Sequence, residues 1–95
     1  MRISEHEKRV LVSAVHSLDP RAGVWLFGSR TDDTRKGGDI DIAVLSRSIE
    51  RIGRMRIKRC ISDAIGDQKI DIVVSTDGLD PFFRLALERG VRLDE

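Results

Sequence analysis

The feature that most constrains the fold is a run of alternating acidic and apolar residues at positions 39–45, D-I-D-I-A-V-L. In an extended strand, successive side chains point to opposite faces. The two isoleucines and the valine therefore share one face, while Asp39 and Asp41 share the other. The run predicts a strand that covers an apolar core with one face and holds two carboxylates side by side on the other.

The remaining elements follow from hydrophobic periodicity and from turn residues. Ser4 and Glu7 form an S-x-x-E capping box at the start of a first helix, which Asp19-Pro20 would end. The pattern then predicts a buried strand at 24–27, a polar loop at 31–38, a strand at 39–45, a helix at 49–65, a strand at 70–74, a helix from 81 to about 89 and a small edge strand at 91–93. This order is typical of an α/β (α+β) fold, with a small mixed β-sheet of three to four strands and helices mainly on one face.

Several side chains have predicted positions within these elements. Ser46 or Ser48 would cap the helix at 49–65, and Gly66 would end it in a left-handed conformation. We expect Trp25 to lie in the core, and one member of the Phe82-Phe83 pair to point inward while the other stays exposed. The apolar stripe of the 49–65 helix is predicted to contain Ile49, Ile52, Ile57, Cys60, Ile61, Ala64 and Ile65, which would bury the Cys60 thiol.

Composition narrows the class of protein. The chain has 95 residues, of which 40% are hydrophobic and 35% charged, as expected for a single globular domain spanning residues 1–95. No apolar run approaches the roughly 20 residues of a membrane helix, and no signal peptide is evident, so the expected location is cytoplasmic. The lone cysteine excludes an internal disulfide. With two isolated histidines, it also argues against a zinc site or a cysteine nucleophile.

Positive charge is concentrated in one segment although the formal net charge is only +1. Residues 47–59 contain six basic residues against the single acid Glu50, a local charge of about +5. Such a segment can attract an anionic partner or nucleic acid. A solvated helix face is the more common explanation and the one we favour from sequence.

Three aspartates make up the candidate metal site. Asp71 lies inside a second apolar strand, and if that strand neighbours the one holding Asp39 and Asp41, the three carboxylates converge. Converging carboxylates repel one another unless positive charge lies between them. Mg²⁺ is the natural ion, because it prefers carboxylate oxygens and keeps positions open for substrate phosphates. Two such ions about 4 Å apart would clamp the attacking and leaving oxygens of a phosphoryl displacement.

A second motif is suited to phosphate binding. Gly28-Ser29 stands where a buried strand meets a polar loop, and glycine allows the backbone to approach a ligand closely. Arg30, Arg35 and Lys36 follow and could neutralise a triphosphate. A Gly-Ser pair or an isolated D-x-D is weak evidence. The ordered set of strand, Gly-Ser, D-x-D on a strand, helix and third aspartate on a strand is far more specific.

Residues 26–44, L-F-G-S-R-T-D-D-T-R-K-G-G-D-I-D-I-A-V, resemble the signature of the minimal nucleotidyltransferases, which belong to the DNA polymerase beta-like nucleotidyltransferase superfamily. The family pattern is Gly-Ser, nine or ten residues, then Asp-x-Asp, and here the gap is nine. The stretches Q-K-I-D-I-V-V and A-L-E-R-G-V-R-L resemble the third-carboxylate strand and the usual end of such proteins. The resemblance therefore covers nearly the whole chain.

The resemblance implies a fold and a set of roles. The fold would be the nucleotidyltransferase fold, and the reaction would transfer AMP from ATP to a hydroxyl with release of pyrophosphate. Asp39, Asp41 and Asp71 would be the catalytic, metal-binding residues, with Asp71 helping to deprotonate the attacking hydroxyl. The nucleotide would be held by Gly28, Ser29, Arg30 and Lys36.

The resemblance also implies a partner. Larger relatives carry a second domain for the acceptor, which we do not expect in this chain. Short members are commonly paired with a helical HEPN-domain toxin, so the leading hypothesis is an antitoxin that adenylylates a toxin tyrosine within a hetero-oligomer. Two alternatives stay open: a binding antitoxin with an idle site, or a transferase acting on RNA or a small molecule. Nucleic acid is the less favoured partner.

Overall fold

The computed structural model describes residues 3–28, 40–66 and 69–94. The elements are α1 (Glu5–His16), β1 (Gly23–Phe27), β2 (Ile40–Leu45), α2 (Arg51–Ile65), β3 (Ile70–Ser75), α3 (Pro81–Arg89) and β4 (Val91–Arg92). The sheet has the order β3-β2-β1-β4, in which β2 and β3 are parallel and the other two pairs are antiparallel. The predicted α+β class with a small mixed sheet is confirmed.

Side chains and glycine set the helix ends largely as predicted. The backbone N–H of Glu7 donates to Ser4 Oγ at 3.0 Å, and the Ser4 N–H donates to the Glu7 carboxylate at 2.9 Å, which completes the capping box of α1. This helix ends at His16, three residues before Asp19. Gly66 follows α2 with a φ of +88°, a value that favours glycine.

Of the three helices in the described part of the chain, α1 and α2 cover the same face of the sheet. Alternate residues of β2 and β3, such as Ile42 and Ile72, are buried on this face with Leu11 and Val15 of α1 and Ile61 of α2. The crossover from β2 to β3 carries α2, as a parallel strand pair requires. The alternation of apolar and acidic residues therefore predicted the buried face of both strands correctly.

The third helix, α3, packs on the opposite face. Phe83 is fully buried there against Ala43 and Trp25, and its ring meets the indole edge-on with 6.5 Å between centroids. Phe82, its neighbour, is 55% exposed. The prediction of one inward and one exposed phenylalanine is confirmed, while Trp25 is only half-buried. This face matters for function, because the predicted carboxylates also project from it.

The prediction for α2 was too broad. Cys60 is exposed, and Ile52 is 67% exposed, whereas Ile57 and Ile61 are buried. At about 100° per residue, Cys60 lies about 100° around the helix from Ile61, and Ile52 lies about 140° from Ile57. Only a narrow arc of the helix faces the sheet, so Cys60 is a surface thiol and not a core residue.

The turn between β2 and α2 is organised by Ser46, although Ser46 does not cap the helix. Its hydroxyl accepts the N–H groups of Ser48 and Ile49, both at 3.1 Å, and donates to Asp19 Oδ2 at 2.6 Å. Glu50 occupies the N-cap position of α2 without a side-chain bond. The Ser46 hydroxyl, followed by the N–H of Arg21, holds the pKa of Asp19 below its usual value of 3.8.

Replacing Ser46 with alanine is expected to cost about 1–3 kcal/mol of unfolding free energy at neutral pH, because it leaves buried N–H groups without their acceptor. Asp19 has a lowered folded pKa, so its contribution is present above the unfolded value and is lost as pH falls through the folded value. The difference between wild type and Ser46→Ala should therefore narrow in acid. Urea unfolding over a pH series measures this.

Ser48→Ala is the control for that series, because the hydroxyl of Ser46, and not that of Ser48, accepts the two N–H groups. A free-energy difference for Ser46→Ala that stayed constant from neutral pH to well below 3.8 would show that the bond to ionised Asp19 contributes nothing.

Candidate active site

Asp41 and Asp71 occupy paired positions on the parallel strands β2 and β3. Their side chains project from the same face, and the two backbones lie about 4.8 Å apart, as adjacent strands do. Asp41 is half-buried and Asp71 is exposed. Since both residues stand second in their strands, the two carboxylates lie beside each other at the N-terminal ends of β2 and β3. The condition under which Asp41 and Asp71 come together, that β2 and β3 are neighbours, is therefore met.

The buried residues of α3 do not pack over these strand ends. Its buried residues, Phe83 and Ala86, pack over Ala43, two residues further along β2 than Asp41. On the other side of Asp41, Phe27 is its directly paired neighbour on β1. The ring of Phe27 meets that of Phe82 edge-on, with 6.1 Å between centroids. The carboxylates therefore sit at the rim of an apolar layer.

Gly28 brings the start of the phosphate-binding motif against Asp41. It directly follows β1 and has a φ of +79°, in the left-handed region that glycine adopts without steric penalty. A Cβ at this position would collide with an Asp41 carboxylate oxygen and would lie 3.1 Å from its Cγ. Gly28 of the Gly-Ser pair and Asp41 of the D-x-D pair, which are separate in sequence, thus lie next to each other.

The other predicted site residues, Ser29, Arg30, Lys36 and Asp39, lie outside the described residues and remain predictions. Within residues 3–28, 40–66 and 69–94 there is no group of three or more acidic, histidine or cysteine side chains suited to a metal. What this part of the chain offers is a pair of carboxylates, open on the side of Asp71. That donor set fits a hard divalent cation that keeps positions for other oxygen ligands.

One groove on the described surface lies away from these carboxylates. It has a volume of about 460 Å³ and lies at the opposite ends of β2 and β3, between Arg47, Ser48, Thr76 and Asp77. Asp19, which also lines it, is already bonded to Ser46 and to the Arg21 N–H. The volume of a groove is a weaker guide than paired carboxylates beside a glycine with a positive φ, so Asp41 and Asp71 remain the candidate site.

Sequence reasoning missed the aromatic pair of Phe27 and Phe82 beside Asp41, although the position of Phe27 directly before Gly28 was an available signal.

It also missed the anchoring of the last strand by Asp94, which accepts the Val24 N–H at 2.9 Å and pairs with Arg92 at 3.1 Å. Burial works to raise the pKa of Asp94, but the bonds from Arg92 and Val24 outweigh it and the pKa lies below its usual value.

Comparison with known families decides the identity of the fold. The family model described as "Polymerase beta, Nucleotidyltransferase" matches residues 15–93, which is most of the 95-residue chain. The chain belongs to this nucleotidyltransferase family. A search of curated proteins finds no match.

Family membership fixes the general chemistry of the domain. Polymerase beta-type nucleotidyltransferases generally use a nucleoside triphosphate and a divalent metal ion. The family match covers all four strands, and therefore includes Gly28, Asp41 and Asp71. None of the helices in the described part of this nucleotidyltransferase has the length and apolar character needed to span a membrane.

Proposed function

We propose that this nucleotidyltransferase domain transfers AMP from ATP to a hydroxyl group of a partner protein, with Asp39, Asp41 and Asp71 as its catalytic residues. The observation that carries the proposal is the register pairing of Asp41 with Asp71, with Gly28 closed against Asp41. Like charges directly opposite each other weaken a sheet. Such a pair at the rim of a core is better explained by a role in binding a cation and a substrate than by a contribution to the stability of the fold.

Each residue has a distinct role in this proposal. Asp39, Asp41 and Asp71 would hold a divalent ion, and Asp39 and Asp41 would also take part in binding the triphosphate. The backbone at Gly28 and Ser29 approaches the phosphates, and Arg30 and Lys36 neutralise their charge. When bound, the ion offsets negative charge on the phosphates and orients them for in-line attack. The protein contributes mainly position and charge, as is usual in phosphoryl chemistry.

In the proposed reaction, the oxygen of the acceptor hydroxyl replaces pyrophosphate on the α-phosphorus of ATP. Asp71, on an exposed position of β3, accepts the proton of the acceptor hydroxyl. A bond forms between that oxygen and the α-phosphorus, the bond from the α-phosphorus to the bridging oxygen breaks, and pyrophosphate leaves. AMP remains on the acceptor.

The acceptor is proposed to be a tyrosine of a HEPN-domain partner, in keeping with the resemblance to minimal nucleotidyltransferases. These 95 residues contain no tyrosine, so such an acceptor lies outside them. In this role the domain is an antitoxin that acts in a hetero-oligomer. Its two Mg²⁺ ions and its choice of ATP belong to the same proposal.

To test the proposal, the domain is incubated with α-labelled ATP, Mg²⁺ and the product of the neighbouring gene. We expect label and a mass gain of one or more AMP units on a partner tyrosine, and neither with an Asp39→Ala/Asp41→Ala variant. A stable complex without label, formed equally by the variant, would indicate a binding antitoxin with an idle site. Label on an RNA panel in place of the partner would indicate an RNA transferase.

A further inference from the structure

The strand that carries Asp71 is an edge of the sheet. Among the described strands, β3 pairs with β2 alone, and it offers six residues, whereas the opposite edge, β4, has only two. A long free edge is a ready template for pairing with another extended chain, and proteins usually blunt such edges. Here the long edge is the one beside the reacting centre.

Half of the backbone N–H and C=O groups of β3 point away from β2. The N–H of Ile40 donates to the Lys69 carbonyl at 3.0 Å, and the N–H of Ser46 donates to the Ser75 carbonyl at 2.9 Å. In a parallel ladder, alternate residues of a strand direct their N–H and C=O toward the same neighbour. The N–H and C=O groups of the odd-numbered residues of β3 therefore face β2. The N–H and C=O groups of Ile70, Ile72 and Val74 point away from it.

The two sides of this edge differ in chemistry. On the α2 side, a groove of about 200 Å³ is lined by Arg54, Met55, Lys58 and Ile72, so it combines two cationic side chains with two apolar ones. On the α3 side, a groove of about 450 Å³ is lined by Val73, Val74, Ser75, Thr76, Asp80, Phe82 and Phe83, with no cation among these residues. An occupant must present negative charge on one side and apolar surface on the other.

We propose that the acceptor is an extended protein segment that docks as an added strand on the outer edge of β3. The proposal rests on the transferase function and names how its acceptor binds. A residue placed opposite Asp71 shares its face and can bring a hydroxyl to that carboxylate. The flanking residues then point toward Arg54 and Lys58. Of the two residues beyond them, the one opposite Val73 lies on the α3 side beside Phe82, and the other stands opposite Lys69.

This alternation specifies four successive positions of the segment: acidic, hydroxyl, acidic and, beside Val73, apolar. The acidic side chains complement the cations on α2, and the main chain pairs with the outward groups of β3. A single-stranded RNA fits less well. Of the two grooves, only the one on the α2 side is lined by cations, and Asp80 in the other would repel the phosphates of the RNA. It would also leave the outward N–H and C=O groups of the edge without a ladder partner.

The test uses a fluorescent peptide with the core Leu-Glu-Tyr-Glu-Leu, whose symmetry makes the direction of the added strand immaterial. Binding is followed by anisotropy without nucleotide, for a matched pair of variants, Val74→Pro and Val74→Ala. Both remove the valine side chain, but only proline removes the outward N–H, and proline is tolerated at that kind of edge position. We expect the proline variant to bind at least about tenfold more weakly than the alanine variant.

A second comparison does not depend on the fold of the proline variant. Arg54→Glu/Lys58→Glu should weaken binding about tenfold or more. Arg56→Glu should not, because Arg56 lies about 200° around α2 from both cations. A peptide with lysines in place of its glutamates should prefer the double variant. Equal binding by wild type, Val74→Pro and the double variant would overturn the docking proposal.

The two proposals fail separately in these experiments. Because binding is measured without nucleotide, absence of AMP transfer leaves the edge pairing standing if the variants behave as expected. Conversely, AMP transfer to a protein acceptor that is unaffected by Val74→Pro and by the double variant would keep the transferase and remove the edge pairing. Binding of an RNA oligonucleotide, but not of the peptide, with loss in the double variant would also overturn it.

Discussion

Replacing Asp71 with asparagine is expected to lower AMP transfer by about 1000-fold or more while leaving the fold intact. Asparagine keeps the shape of the side chain but removes its charge and its ability to accept the hydroxyl proton, and metal and proton-acceptor contributions of this size are usual. Initial rates of label transfer at saturating ATP, with the acceptor in excess, measure the effect. Asp41→Asn should show a loss of similar size.

Stability separates this outcome from simple unfolding. Asp71 is exposed and stands opposite Asp41 in the register, so removing its charge relieves a like-charge contact. The unfolding free energy should stay constant or rise by up to about 1 kcal/mol. Asp63→Asn, which removes an exposed aspartate from α2, is the matched control and should change neither quantity. An Asp71→Asn variant with wild-type rates would contradict the assigned role.

Gly28→Ala is expected to be the second most damaging change, with AMP transfer reduced about 100-fold or more. Alanine at a φ of +79° is strained, and its Cβ would displace the Asp41 carboxylate from its observed position. The loss of unfolding free energy should be about 1–3 kcal/mol. Rates and urea unfolding of the same preparation separate the two effects.

Gly66→Ala provides the matched control. Gly66 has a similar positive φ of +88°, but a Cβ there would meet nothing within 4 Å. This variant should lose comparable stability and retain its activity. Equal activity losses in the two variants would show that backbone strain, and not the contact between Gly28 and Asp41, limits the rate.

Much of the fold followed from local rules. The alternation of residues 39–45 predicted which face of β2 is buried, and the capping box at Ser4 predicted the start of α1. Both signals act over a few residues and depend on backbone geometry alone. The Asp41–Asp71 pairing was predictable only on the condition that the two strands are neighbours. Alternation determines the face of a side chain but not the register between strands.

The failures have a common physical cause. Cys60 and Ile52 belong to an apolar stripe in sequence, but how much of that stripe is buried depends on how α2 lies across a sheet with short strands. Similarly, Ser46 was one of two residues expected to cap α2, yet it bonds to Asp19, which lies 27 residues away. Contacts between distant parts of the chain carry no local signal, so sequence patterns could not predict them.

The most direct test of the central claim is the binding of Mn²⁺, as a spectroscopic substitute for Mg²⁺, together with an ATP analogue that cannot be cleaved between the α- and β-phosphates. Electron paramagnetic resonance reports free and bound Mn²⁺ without any acceptor. We predict that the analogue strengthens Mn²⁺ binding to the wild type beyond its own affinity for the ion, and that Asp41→Asn and Asp71→Asn each remove this gain. Equal Mn²⁺ and nucleotide binding by the wild type and both variants would contradict an active site at Asp41 and Asp71.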